Sequence, residues 1–139
     1  MRNKIKHLEM IMGIIERMEK NSFSLKSWAM ALSVAVCALS ANDSEKKFIL
    51  IALIPIFIFW LLDSFYLQTE RKYRILYRIV SEKREEQIDF NLDLCNVVFT
   101  KDDEKKICFI KCMFSFSENL FYFSLILAMV FIIILLKIF

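Results

Sequence analysis

The chain has 139 residues, is 58% hydrophobic and 25% charged with a formal net charge of +3, and holds 14 Phe but one Gly and one Pro. One Gly cannot supply the positive-φ positions of phosphate-cradling loops, tight hairpins or a turn-rich sandwich, which argues against Rossmann and P-loop enzymes. An apolar share above the usual ~45–50% beside ordinary charge content requires segregated blocks, as in a single-domain membrane protein with polar ends rather than a disordered tail, a collagen or a disulfide mini-protein.

Residues 1–23 predict a cytoplasmic amphipathic helix. Ile5, Leu8, Met12 and Ile15 recur at three-four spacing, while Lys6, Glu9, Glu16 and Arg17 fill the other faces. The narrow stripe suits packing against neighbouring subunits more than lying in the headgroup layer. No apolar signal-peptide core is present, so this segment is expected to remain in the mature protein.

Three apolar blocks follow. Residues 24–41 hold one charge, Lys26; residues 48–62 hold none, and their pattern continues to 67; residues 120–136 hold none. A spanning helix needs about 20 mostly apolar residues, within a range of about 17–25, and only helices satisfy their backbone in lipid here. The expectation is an all-α membrane protein with a transmembrane hairpin over 24–67 and a third transmembrane helix over 119–139. A buried core helix is the alternative for the first block. Six Lys and Arg lie in residues 1–26, two in 42–47, ten in 68–118, and one, Lys137, beyond. The positive-inside rule then puts the N-terminus in the cytoplasm, the 42–47 turn outside, 68–118 inside and the C-terminus outside. A bacterial inner membrane is the default location.

The second span has no stop before residue 86, and its one breaker, Pro55, predicts a kink in mid-membrane. Thirty-nine residues make roughly 60 Å of helix, half of it beyond the hydrocarbon. On that extension Arg71, Arg74 and Arg78 fall within an arc of about 60°. Tyr66, Tyr73 and Tyr77 form an adjoining stripe, with Glu70 between, and Ile75, Leu76, Ile79 and Val80 lie opposite. Arg forks match phosphate oxygens and Tyr rings offer bases a stacking surface, so Arg71, Arg74, Arg78, Tyr73 and Tyr77 are the candidate ligand-binding residues. Anchoring at the membrane interface is the plainer role, above all for Arg71 and Arg74. Asp63, with Trp60 one turn before it, is the candidate pore residue: it rings a pore mouth in an oligomer, or it pairs within the chain with Lys26 or Arg71.

In the cytoplasmic segment 68–118, Ile88, Phe90, Leu92 and Leu94 alternate as in a short strand or extended segment, which pairs between subunits or folds back as a loop. Thr100 and Asp103 resemble a capping box that starts a helix running through Lys111 into the third block. The single His7 has no evident partner. Cys108 and Cys112 share a face but fall short of a zinc site, and Cys37 and Cys95 stand apart. The reading is a non-enzyme with no metal and no cofactor. Three thin helices enclose an aqueous path only when repeated about an axis, which favours a homo-oligomeric pore lined by the second span.

The run WLLDSFYLQTERKYRILYRIV, residues 60–80, with a looser echo in residues 15–28, resembles small bacterial membrane effectors of nucleotide-signalling anti-phage systems of the Hailong type. The resemblance implies an oligomeric ion channel, a tetramer among the possible counts, encoded beside a nucleotidyltransferase. A nucleotide or short single-stranded oligonucleotide would hold the channel in one state, and opening would depolarise the inner membrane. Arg71, Arg74 and Arg78 would then contact phosphates, with Tyr73 and Tyr77 stacking. A phage-type holin or small pore-forming toxin, and a passive subunit of a larger membrane complex, are the alternatives.

Overall fold

A computed structural model describes residues 2–40 and 48–138, and among them the secondary structure is entirely helical. Two long helices, α1 (Arg2–Ser40) and α2 (Phe48–Glu82), are followed by two short ones, α3 (Lys101–Ile107) and α4 (Phe109–Met113), and by α5 (Phe116–Ile138). The expected outside turn, 42–47, lies outside the described residues. The predicted amphipathic helix and first apolar block are one unbroken helix, with no boundary at residue 23. Among the described residues one helix, α1, is long and apolar enough to cross a membrane, and α5 contributes a shorter apolar stretch, Phe116–Ile132.

Helices α1 and α2 run antiparallel, because contacts climb one as they descend the other. Lys4 reaches the carbonyls of Ser81 and Lys83, Lys26 reaches Asp63, and Ala29 clusters with Ile56. Helix α5 runs antiparallel to α2, with Glu118 and Tyr122 level with Asp63 and Met129 level with Ile56. Two apolar layers hold the helices. The upper one is Ala29, Ile56, Tyr122 and Met129; the lower one, between the polar halves of α1 and α2, is Ile11, Ile15, Leu76 and Val80.

The free end of the α1–α2 pair is closed by reciprocal capping. Helix α1 has no acidic residue in its first turn, and the Glu85 carboxylate supplies the missing acceptor to the backbone N–H groups of Asn3 (2.8 Å) and Lys4 (3.4 Å). The Lys4 ammonium in turn donates to the carbonyls of Ser81 (2.6 Å) and Lys83 (2.9 Å) where α2 ends. Each helix thereby satisfies the orphaned backbone groups, and opposes the terminal dipole, of the other.

Of the two expectations for Ile88–Leu94, a short strand or an extended segment, no strand forms: residues 88–93 carry no regular secondary structure between two single 3-10 turns, Glu85–Gln87 and Leu94–Asn96, with Ile88 and Asp93 extended and Phe90 at φ 52°. The polar positions of the alternation explain why. Asp89, Asn91 and Asp93 each accept, through a side-chain oxygen, the backbone N–H two residues on, at 3.3, 2.8 and 2.9 Å. Donors that a partner strand would need are used locally. Ile88, Leu92, Leu94 and Val97 pack on the lower layer, so the segment folds back as a loop. Phe90 (φ 52°) turns its ring to His7, at a centroid distance of 5.5 Å.

Thr100 and Asp103 form the anticipated capping box. The helix they start does not run on into the third block, because it breaks at Cys108 and again at Phe114–Ser115. Side chains of one face of α2 take up the carbonyls so released. Gln68 donates to Ile107 O (2.8 Å), Arg71 to Lys106 O (3.0 Å) and the Trp60 indole to Met113 O (3.1 Å).

Ile11 is fully buried and its neighbour Met12 is nearly half exposed. Ile11→Ala is expected to cost about 2–5 kcal/mol and Met12→Ala well under 1 kcal/mol. Hydrogen exchange would show the difference as faster exchange across residues 92–97, which rest on the layer that Ile11 anchors.

Candidate functional site

Arg71, Arg74 and Arg78 do meet on one face of α2. With Ile75 beneath them, and Asp103 and Lys106 opposite on α3, they line an open groove of about 470 Å³. Four cations and one carboxylate make a surface suited to anions. Each arginine is also tied to a different part of the chain. Arg71 donates to Lys106 O and to Ser115 Oγ, both at 3.0 Å. Arg74 donates to Glu70 (2.6 Å) on its own helix and to Glu19 (2.7 Å) on α1. Arg78 faces both oxygens of Asp103, at 3.0 and 2.8 Å.

Asp103 is the buried member of that last pair. The Thr100 hydroxyl donates to it at 2.7 Å, and this bond, reinforced by the Arg78 guanidinium, holds its carboxyl below the ordinary aspartate range. Glu70, and more weakly Glu19, hold Arg74 still more firmly in its charged form. The Arg74–Glu19 pair is solvent-exposed at both ends and contributes little to stability, so an incoming anion displaces it at small cost.

The tyrosines do not share this groove. Tyr73 and Tyr77 pack with the Ile11, Ile15, Leu76 and Val80 layer, and the Tyr73 hydroxyl reaches Leu92 O at 3.5 Å. Tyr77 opens instead onto a second groove of about 380 Å³ on the α1 side, with Met12, Ile15, Glu16, Glu19 and Arg74. The reason is angular. Around α2, Tyr73 lies about 20° from Val80, whereas Ile75 lies about 40° from Arg71, so the tyrosines follow the α1-facing stripe and Ile75 floors the arginines.

Asp63 and Trp60 belong to a second constellation. The Lys26 ammonium lies 2.6 Å from Asp63 Oδ2 and 2.8 Å from Glu118 Oε1, and also meets Ser22 Oγ at 2.9 Å. The Tyr122 hydroxyl donates to Asp63 Oδ2 at 3.1 Å. Asp63 thus makes the anticipated pair with Lys26 and not with Arg71, and its carboxylate is closed to solvent within the chain. Trp60 stacks on Tyr122 (6.0 Å between centroids, 22° between planes) and meets Phe114 edge-on at 5.8 Å. Glu118, Tyr122 and Lys106 are the site residues that sequence reasoning left out. A signal for Glu118 existed: Lys26, Asp63 and Glu118 stand at the same end of their apolar blocks.

Among the described residues no group of three or more His, Cys, Asp or Glu could hold a metal. His7 is buried, with Nε2 3.1 Å from Asn91 O. All four cysteines are free, and burial pushes the Cys112 thiol up, away from the thiolate needed in a nucleophile. No family model, curated protein or solved structure matches this chain.

The Asp103 pairing has a defined pH sign. Its folded pKa lies below the unfolded value near 4, so its contribution is complete above that value and is lost as pH falls through the folded one. Hydrogen exchange across α3 is expected to accelerate below about pH 4. In Asp103→Asn, α3 should already exchange fast at neutral pH and lose that acid transition.

Proposed function

We propose that this chain is a multi-pass protein of the bacterial inner membrane whose cytoplasmic arginine groove binds a phosphate-bearing ligand, a nucleotide or short single-stranded oligonucleotide, and thereby controls an ion path formed by a ring of identical subunits. One observation carries the reading. Arg71, Arg74 and Arg78 leave a single face of α2 to hold the start of α5, α1 and α3 in turn. A polyanion that captures the three guanidinium groups therefore acts on α1, α3 and the start of α5 at once.

The membrane part of the reading is supported by the apolar surface. Val34 and Leu39 on α1, Ile54 and Phe57 on α2, and Phe123, Leu127 and Phe131 on α5 are all more than half exposed. Soluble monomers rarely show so large an apolar belt. The charged residues that meet at Lys26 mark the cytoplasmic end of all three apolar helices, which fits three spans with the N-terminus inside and the C-terminus outside. On this reading the chain is a channel effector of anti-phage defence, as the resemblance of residues 60–80 implies, and depolarisation halts the infected cell.

Two measurements test this. In cells expressing the chain, a voltage-sensitive dye should report depolarisation without lysis. With the full chain in lipid nanodiscs, a fluorescent single-stranded deoxyoligonucleotide should bind with salt-dependent affinity, weakened at least about tenfold in the variant Arg71→Ala, Arg74→Ala, Arg78→Ala. Unchanged binding in a correctly assembled triple variant removes the groove as the ligand site. Lysis in place of arrest supports a holin.

A further inference from the structure

The charges joining the three apolar helices do not balance. Lys26 brings one positive charge to two carboxylates, and Asp63 and Glu118 are both essentially solvent-free, at 0% and 2% exposure. Fully ionised, the cluster buries a net charge of −1, which an apolar surrounding strongly disfavours. Its hydrogen bonds are unevenly spent as well. Lys26 and Tyr122 serve Asp63 Oδ2, and Lys26 serves Glu118 Oε1. The other oxygen of each carboxyl, Asp63 Oδ1 and Glu118 Oε2, is buried without a donor. The one ammonium, 2.6 Å from Asp63 Oδ2 and 2.8 Å from Glu118 Oε1, brings the two carboxyl groups side by side.

We infer that Asp63 and Glu118 form a buried site that takes up one proton from water and holds it between Glu118 Oε2 and Asp63 Oδ1. With that proton present, one carboxyl is the donor and the other the acceptor, both orphaned oxygens are satisfied, and the cluster is neutral. Among the described residues the charged or titratable groups facing the site are Lys26 from α1, Asp63 from α2, and Glu118 and Tyr122 from α5. Ser22 adds a neutral hydroxyl, the Ser64 hydroxyl is turned back to Trp60 O, and Arg71 is engaged by Lys106 O and Ser115 Oγ. Helix α4 presents its Met113 carbonyl to the Trp60 indole, one turn from Asp63. Loss of the proton leaves two facing carboxylates, and the first turn of α5, where Glu118 sits, is the part able to move away. The site makes the union of α5 with α1 and α2 dependent on proton occupancy, and it stands whether or not the arginine groove takes an anion.

Infrared difference spectroscopy of the full chain in lipid nanodiscs tests the inference. The wild type at neutral pH should show the C=O stretch of a protonated carboxylic acid, shifted in D2O and lost on titration to alkaline pH. Glu118→Gln and Asp63→Asn each keep the neutral charge balance, so each should remain helical and lose the band entirely. In a Trp28→Phe background, Trp60 fluorescence, which reports through Tyr122, should change with that titration and stay flat in Glu118→Gln. Should a variant fail to fold, carbon-13 labelling of Asp and Glu carboxyls in the wild type assigns the band instead. Absence of any protonated carboxyl band while the helices are intact overturns the inference. So does a band that survives both substitutions, or a cluster stabilised by Na+ in place of a proton.

Discussion

The contact between Lys26, Asp63 and Glu118 constrains the rest of this molecule. An ammonium and two carboxylates are tolerated away from water only when each finds its partners, and breaking such a buried set typically costs about 3–5 kcal/mol. Because the three residues come from α1, α2 and α5, meeting that demand sets the axial register of all three helices together. The apolar layer of Ala29, Ile56, Tyr122 and Met129 lies next to it and inherits that register. Apolar contacts are non-directional and would tolerate a slip of one helix past another, whereas a buried charge would not. The specificity of the three-helix arrangement therefore resides in polar residues that composition alone would rank as liabilities.

The same logic recurs at the opposite end of the α1–α2 pair, where Lys4 and Glu85 close each other's helix termini. Between the two polar clasps lies the lower apolar layer, with the 88–97 loop laid over it. The pair is thus fastened at three levels, while α3 and α4 are held mainly by side chains from one face of α2: Trp60, Gln68, Arg71 and Arg78. The short helices have the fewest independent attachments of the polar half of the chain, and such elements open at the lowest free energy. A contact chain joins them to the apolar half. Arg71 holds Ser115, Ser115 O receives the Asn119 N–H at 2.8 Å, and Glu118 lies in that same turn. A ligand in the arginine groove thus has a route to the buried cluster that is two contacts long.

Much of this was legible in the chain because it depends on local pattern. Helical apolar blocks, the long extension of α2, the Thr100–Asp103 box and an Asp63–Lys26 pairing all follow from spacing and from the cost of lone charges in apolar surroundings. The misreadings came where two local codes compete. The alternation of Ile88, Phe90, Leu92 and Leu94 is a strand signal only if the intervening residues leave their neighbours' N–H groups free, and Asp89, Asn91 and Asp93 do not. The helix from Thr100 stops at Cys108 with no Gly or Pro to announce it, because the receivers of its free carbonyls, Gln68 and Arg71, lie some forty residues earlier in the chain. Glu118 escaped notice for a related reason: its partners are 92 and 55 positions away, and only the common end of three apolar blocks ties them together.

The separation of arginines from tyrosines bears on the kind of ligand that the proposed site on α2 would read. A groove floored by Ile75 and walled by Arg71, Arg74, Arg78 and Lys106 recognises charge and the fork geometry of phosphate oxygens, but it offers no ring for a base. The one exposed guanidinium common to both grooves is Arg74, and on its far side stands Tyr77. A lone phosphate would gain nothing from that arrangement, since the first groove already supplies more cations than it needs. A ligand carrying a base at some distance from its phosphates would gain a great deal, because it could seat its charge among the arginines and lay its ring past Arg74. On the proposed reading the geometry of α2 would favour an extended nucleotide over a compact inorganic anion, with Arg74, which both grooves share, between its phosphates and its base.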